Sequence, residues 1–426
     1  MDYSGKARIF LSRHGTEPES VNLSDVTAAF LSEMELGLSG GKSSLKMIPS
    51  YLTADGALPL GRPAAVIDAG GTNFRTALVS FTEHGPEVES LSVTAMPGAL
   101  SPVTWDEFID FTAARLLPLL DRTDTVGFCF SYPTEETPER DGRIIKLTKQ
   151  VIIDGFENRL LCADLQARLT ALGVGRKNIV LLNDTPAVLL SGVGASREGE
   201  FDGLIGLISG TGTNTCCNLP NSAIRKPHGA FSGNMLVNLE SGAFSLLPRG
   251  DFDALLDAAT LDPDTYRHEK MTSGAYVGEL CRLALREAAE EGLFSAEGAD
   301  SALSLSALAT PEADALALGG DMSLFADVND AAFAAELCRA MFERAARCLC
   351  ANLSAILILT DSGHSAAKPA CIRVDGSMFK KSRVFRPELE RYMSEFTAAR
   401  LCRHAVFRTA DEATLLGSAA AALLNS

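Results

Sequence analysis

Asp68–Ala69–Gly70–Gly71–Thr72–Asn73 stands between two apolar runs, with Arg75 two residues beyond it. Paired glycines let a chain turn sharply and bring backbone N–H groups against an anion. A carboxylate at the end of the first run, Asp68, can hold a hydrated Mg²⁺, and Arg75 adds positive charge. After the turn the residues alternate as a strand: Ala77, Val79 and Phe81 on one side, Thr76 and Ser80 on the other. Dinucleotide and P-loop turns lead into a helix, and neither of their glycine patterns is present. The segment reads as a hairpin that either cradles phosphate or is an ordinary β-turn.

A second segment echoes the first. LIGLISGTGTNTCC repeats an apolar strand, a Gly/Thr turn and another extended run, and supplies Gly210, Thr211, Gly212 and Asn214. Two such hairpins suggest two related halves facing one cleft. Between them, IVLLNDTPAVLL ends a buried strand at Asn183–Asp184, where ligands commonly bind in open α/β sheets. A carboxylate there can take the proton of an attacking hydroxyl during phosphoryl transfer. Equally, Asp184 or Thr185 ahead of Pro186 is a helix-start signal.

Other residues have types suited to a polyol and to a nucleotide. Ser131, Thr148 and Lys149 offer hydroxyls and a cation, and Lys149 could offset charge on a moving phosphate. Glu240 and Glu269 could accept paired hydrogen bonds from vicinal hydroxyls. The turn at Gly376–Ser377 could approach a purine or ribose closely. Taken singly, each could as well be an ordinary loop or turn residue.

The elements that must position these residues follow from periodicity. Helices are predicted over 22–38, 104–120, 157–172, 274–291, 331–358 and 411–424. Strands are predicted over 64–81 on either side of the glycine pair, 125–131, 178–182, 203–217 and 371–374. Such a mixture over 426 residues implies an α/β protein of two or three lobes. Net charge of -16 argues against a nucleic-acid partner, but a nucleotide's few charges can be met by local N–H groups and a metal ion. The ten cysteines lack zinc-site spacing and read as buried free thiols. Neither a signal peptide nor a membrane span is expected, which points to the cytoplasm.

In order and spacing these segments resemble the hexokinase family of ATP-dependent hexose kinases. The likeness starts at LKMIPSYL and runs through DAGGTNFR, GFCFSYPT, LTK, LLNDT, GLISGTGTN, NLESGAF, HEKMTSGAYVGEL and VDGSMFK. It implies a two-lobed actin-like ATPase (ribonuclease H-like) fold with an interlobe cleft. By the resemblance, residues 63–182 plus 409–426 form the small lobe, and 1–62 plus 183–408 the large one. It implies ATP and Mg²⁺ as cofactors, and a monomer or homodimer acting on glucose or on fructose, mannose or glucosamine. Asp184 would be the base, helped by Lys149. Sugar contacts would come from Ser131, Thr148, Lys149, Asn183, Asp184, Asn214, Glu240 and Glu269. Phosphate contacts would come from Gly70, Gly71, Thr72, Asn73, Arg75 and Thr211, and Gly376 and Ser377 would lie near the adenosine. Departures from the family pattern stand at Leu147, Gln150, Pro186, Ser241 and Leu415–Ser418. A non-catalytic sugar sensor on this fold would have lost the base or the phosphate loop, and both are present.

Overall fold

The computed structural model describes residues 2–71, 73–147, 151–193, 199–226, 229, 231–319 and 324–425. Thr72, Thr148 and Lys149 lie outside the described residues. Two sheets dominate. The first comprises β1 (Ala64–Gly70), β2 (Asn73–Thr82), β3 (Gly85–Ala95), β4 (Thr125–Phe130) and β5 (Asn178–Leu182). Its order is β5-β4-β1-β2-β3. β1, β2 and β3 form an antiparallel meander, while β4 and β5 run parallel to β1.

The second sheet comprises β6 (Gly203–Ser209), β7 (Thr213–Pro220), β8 (Asn234–Asn238), β9 (Ala370–Asp375) and β10 (Ala405–Thr409). Here the order is β10-β9-β6-β7-β8, with the short Ile48–Pro49 strand beyond β8. Again the first three strands are an antiparallel meander and the last two lie parallel to the first. The echo between the two hairpins therefore extends to the topology of both sheets.

Local chemistry sets the element boundaries. The Trp105–Leu116 helix starts in a capping box, Thr104 with Glu107. Asn22 caps the Leu23–Leu38 helix through Ser24 and Asp25. Val328–Leu359, capped by Asp327, is a 32-residue helix running through the largest apolar cluster among the described residues. Two expected helices start later, at Leu161 and Val277, because their first residues form irregular turns. Nine cysteines are buried and free, and Cys402 is exposed, contrary to its expected burial. Among the described residues no helix is long and apolar enough to cross a membrane.

Two helices tie the sheets together by crossing. The chain leaves β5 into the Asp184–Leu190 helix, which packs on β6, β7 and β9. It leaves β10 into the Ala413–Leu424 helix, which packs on β1, β4 and β5. The two helices also pack on each other. A single apolar cluster results, taking Val66, Val180 and Leu182 from one sheet, Cys216 and Leu236 from the other, and Ala187, Leu189, Leu415 and Ala419 from the helices.

Candidate functional site

Register brings three strand ends of the first sheet level. Leu182 pairs with Cys129, and Cys129 pairs with Asp68. Asn183–Asp184, Phe130–Ser131 and Ala69–Gly70 therefore leave the sheet along one edge, the carboxyl edge of its parallel strands. Asn183, rather than Asp184 or Thr185, caps the following helix, its Oδ1 accepting from the Thr185 N–H at 3.3 Å. That leaves the Asp184 carboxylate in the first helical turn, where Thr185 Oγ1 donates to its Oδ1 at 3.1 Å.

Cys129 reports how close the carboxylates lie. Its thiol is pushed well above the ordinary range, first by burial, then by the charges of Asp68 and Asp184. The Ser131 hydroxyl sits 3.9 Å from its sulfur. Ser131 also explains Gly70, because a Cβ there would lie 2.8 Å from Ser131 Oγ. Gly71 turns the hairpin at φ +55°, a conformation glycine adopts without strain. Tyr132 clasps this turn, its hydroxyl donating to the Gly71 carbonyl at 3.0 Å.

Asp68 is buried and held from two directions. Arg75, its cross-strand partner, donates from Nε to Asp68 Oδ2 at 3.0 Å. Thr414 donates to the same oxygen at 2.8 Å and accepts from Arg75 at 2.9 Å. Glu412 completes the set by pairing with Arg75. Arg75, expected at the phosphate, is thus engaged with two carboxylates here. Asn73 is exposed at the hairpin tip.

In the second sheet the second hairpin carries a polar cluster. Asn214 and Asn238 both donate to Glu240 Oε1, at 3.3 and 2.9 Å. Asn214 Oδ1 accepts from the N–H groups of Thr215 and Ser241. Glu240 is held at φ +57°, a strained conformation for a side chain with a Cβ. Its carboxyl is raised by burial, which Lys46 offsets, and then by the charge of Asp184. Asp184, at the edge of the first sheet, and Glu240, beyond the end of β8 in the second, therefore lie close enough for their charges to interact. Glu269 accepts from the Thr213 N–H at 3.0 Å and lies against Gly212 and Gly242. Tyr266 senses both Glu240 and Glu269, its phenol raised by burial and then by their charges.

Beside this cluster, Gly210, Gly376 and Ser377 meet where β6 and β9 end. A Cβ on Gly376 would sit 2.3 Å from the Ser209 carbonyl, and one on Gly210 3.0 Å from Gly376 Cα. Gly274 donates to the Gly210 carbonyl at 2.7 Å, and Ala275 to that of Thr211 at 3.3 Å. Such bare backbone is a surface a planar ligand can approach closely. The buried Asp68 carboxylate and the glycine-bared Gly70 turn likewise suit a hydrated metal ion and a phosphate chain.

Sequence reading passed over several of these groups. Cys129 and Asn238 enter through register, Glu412 and Thr414 at the start of the crossing helix, and Tyr132 and Gly274 through hydrogen bonds to the Gly71 and Gly210 carbonyls. Glu136 was missed as well. It belongs to a small hairpin, Thr134–Glu136 with Gly142–Ile144. The residue is half-buried, but its Oε2 is enclosed and has no hydrogen-bond partner among the described residues. Burial, opposed by the Thr134 hydroxyl and supplemented by Glu240 and Glu135, pushes this carboxyl to about 7. Because the folded value lies above the unfolded one, the proton stabilises the fold most below pH 4.5, and that contribution is lost as pH rises through 7. Glu136→Gln should flatten this decline. Discounted for solvent screening, its stability relative to the wild type should rise by about 1–3 kcal/mol between pH 5 and 8, read by urea unfolding.

The comparisons with known proteins agree across the chain. One hexokinase family model matches residues 13–193 and a second matches residues 204–424. Hexokinase-1 of Nicotiana tabacum is 30% identical over 458 residues, covering 98% of this chain and 90% of the tobacco protein. Hexokinase-1 of Oryza sativa subsp. japonica is 29% identical over 454 residues, with 97% and 90% covered. Among solved structures, a hexokinase from Schistosoma mansoni complexed with glucose superimposes with a TM-score of 0.77 at 23% identity, over 99% of both chains. A second hexokinase structure gives a TM-score of 0.82 at 21% identity, over the whole of both chains.

Proposed function

Since the chain belongs to the hexokinase family and is a hexose phosphotransferase, we propose that it moves the γ-phosphoryl group of MgATP to the 6-hydroxyl of glucose in the cytoplasm. The observation that carries the site assignment is the convergence of Asp184 with Glu240 across the cleft and with Asp68 across the sheet.

In this reading the sugar lies between Asn183–Asp184 and the Asn214–Glu240–Glu269 cluster. Glu240, pre-set by two asparagine amides, and Glu269 accept hydrogen bonds from ring hydroxyls. Asn183 spends its carbonyl oxygen on the helix cap, so its amide N–H₂ is the end turned to the sugar. Asp184 orients the primary hydroxyl and takes its proton as the O–P bond forms. MgATP supplies the transferred group and neutralises its charge. Asp68, steadied by Arg75 and Thr414, would hold the metal through water. Gly70, Gly71, Thr72, Asn73, Gly210, Thr211 and Gly212 would line the phosphates, and Gly376 and Ser377 the adenosine. Lys149 and Thr148 are assigned by family resemblance alone. The lobe boundaries at 63–182 plus 409–426 follow the same reading, and the crossing helices supply the joint about which the lobes would close over the sugar and exclude water.

An ADP-release assay across glucose, mannose, fructose and glucosamine, with and without Mg²⁺, tests it. Glucose should give the highest kcat/KM, by about tenfold over fructose, since one mismatched hydroxyl at a buried polar site costs on this order or more. Turnover should vanish without Mg²⁺. A higher kcat/KM for another sugar would transfer the assignment to that hexose, and Mg²⁺-independent turnover would remove Asp68 from its role.

A further inference from the structure

Outside the site already described, His14, Glu287 and Glu291 bring three ligand atoms within 4.8 Å of one another. They come from different parts of the chain. His14 ends the Tyr3–Arg13 helix, while Glu287 and Glu291 lie one turn apart at the end of the Val277–Glu290 helix. The imidazole is not a loose surface group. Its ring stacks on Phe252 at 4.9 Å and tilts against Phe10 at 4.8 Å. Gly250 locks the turn below it, since a Cβ there would lie 2.5 Å from the His14 carbonyl.

His14 Nδ1 lies 2.9 Å from Asp251 Oδ2, and Nε2 lies 3.0 Å from Glu291 Oε1. A neutral ring can donate to only one of these carboxylates. With Nδ1–H given to Asp251, the Nε2 lone pair and the Glu291 oxygen face each other, a pair of donor atoms a bound cation can take together. A carboxylate on the far nitrogen is also what orients a metal-bound histidine. Glu287 adds a third ligand. Arg13 pairs with the other oxygen of Glu291, so the set of Asp251, Glu287 and Glu291 retains an excess of negative charge.

We propose that this cluster is a divalent cation site of the zinc class, with His14, Glu287 and Glu291 as ligands and Asp251 behind the histidine. Imidazole favours such an ion over Mg²⁺ or Ca²⁺, which take oxygen ligands. Bonds of about 2.1 Å place ligand atoms of a tetrahedral ion about 3.4 Å apart, and the three candidate ligand atoms already lie within 4.8 Å of one another. The ion would staple the N-terminal helix to the large lobe.

The test is zinc binding to the full chain, free of nucleotide and stripped by chelator, followed by calorimetry. One zinc per chain is expected, with affinity at least tenfold lower in both His14→Asn and Glu287→Gln. Glu287→Gln leaves the His14 and Arg13 contacts in place, so a folding defect does not confuse it. Hydrogen exchange of the Tyr3–Arg13 amides should slow on adding Zn²⁺ and not on adding Mg²⁺. Equal zinc uptake in the wild type and both variants, or unchanged exchange in this helix, would overturn the site and leave His14 as an imidazolium between two acids.

Discussion

Asp184→Ala should lower kcat by about 10²–10⁴-fold, the range removed with a positioned general base, while sugar binding stays within about tenfold of the wild type. The structure separates this expectation from a folding effect. Asn183 caps the Asp184–Leu190 helix, so removing the Asp184 carboxylate leaves the cap intact. What goes is a favourable charge in the first helical turn, worth about 0.3–1 kcal/mol. Asp184→Asn keeps the size and the hydrogen bond from Thr185 and removes the charge. It should match the alanine variant in kcat, since an amide cannot accept the hydroxyl proton. Coupled ADP release gives kcat, and calorimetry with glucose gives binding. A near-normal kcat in either variant would end the assignment of Asp184 as the base.

The reason such a residue is legible in sequence is local. An apolar run ending in Asn-Asp-Thr-Pro marks a strand edge and a helix start, and both are there. The glycine turns were legible for the same cause, because a sharp turn against an anion leaves few residue choices. Whether Asp184 was cap or base was not legible, because Asn183 and Asp184 are both good caps and only backbone geometry decides between them. β3 is not foreseen: the eleven residues Gly85–Ala95 are largely exposed at the sheet edge, so no sustained apolar alternation announces them. The hairpin of Thr134–Glu136 with Gly142–Ile144 is too short for a period to show. Thr414 reaches Asp68 from 346 residues away, a contact that exists only because the last helix crosses to the other sheet. Nothing local to either residue encodes it, and Glu136 is hidden in the same manner, its carboxyl raised by burial and by the charge of Glu240, 104 residues further along the chain.

The crossing pair of helices also sets the second large effect. Gly417→Ala should destabilise the chain by about 3 kcal/mol or more, at or above the upper end of ordinary overpacking, and lower kcat as well. An added Cβ at 417 would lie 1.6 Å from the Ala187 carbonyl oxygen and 2.4 Å from its carbon. Those are backbone atoms of the other helix, so no side chain can turn aside. Relief requires the helices to part by about 1.5 Å or more, since nonbonded carbon contacts settle near 3.5–4.0 Å and carbonyl oxygen only somewhat closer. Parting them opens the cluster that joins both sheets, including Leu189, Leu415 and Ala419. It also shifts Ala187, three residues from Asp184 on the same short helix. Displacement of about 1 Å at a reacting group costs on the order of 10²-fold. The two readouts should therefore move together, with denaturant unfolding giving stability and ADP release at low temperature giving the rate of the folded fraction. Wild-type kcat in a destabilised Gly417→Ala would show that the helix contact holds the lobes together without positioning the base. Unchanged stability would show that the two helices do not approach this closely.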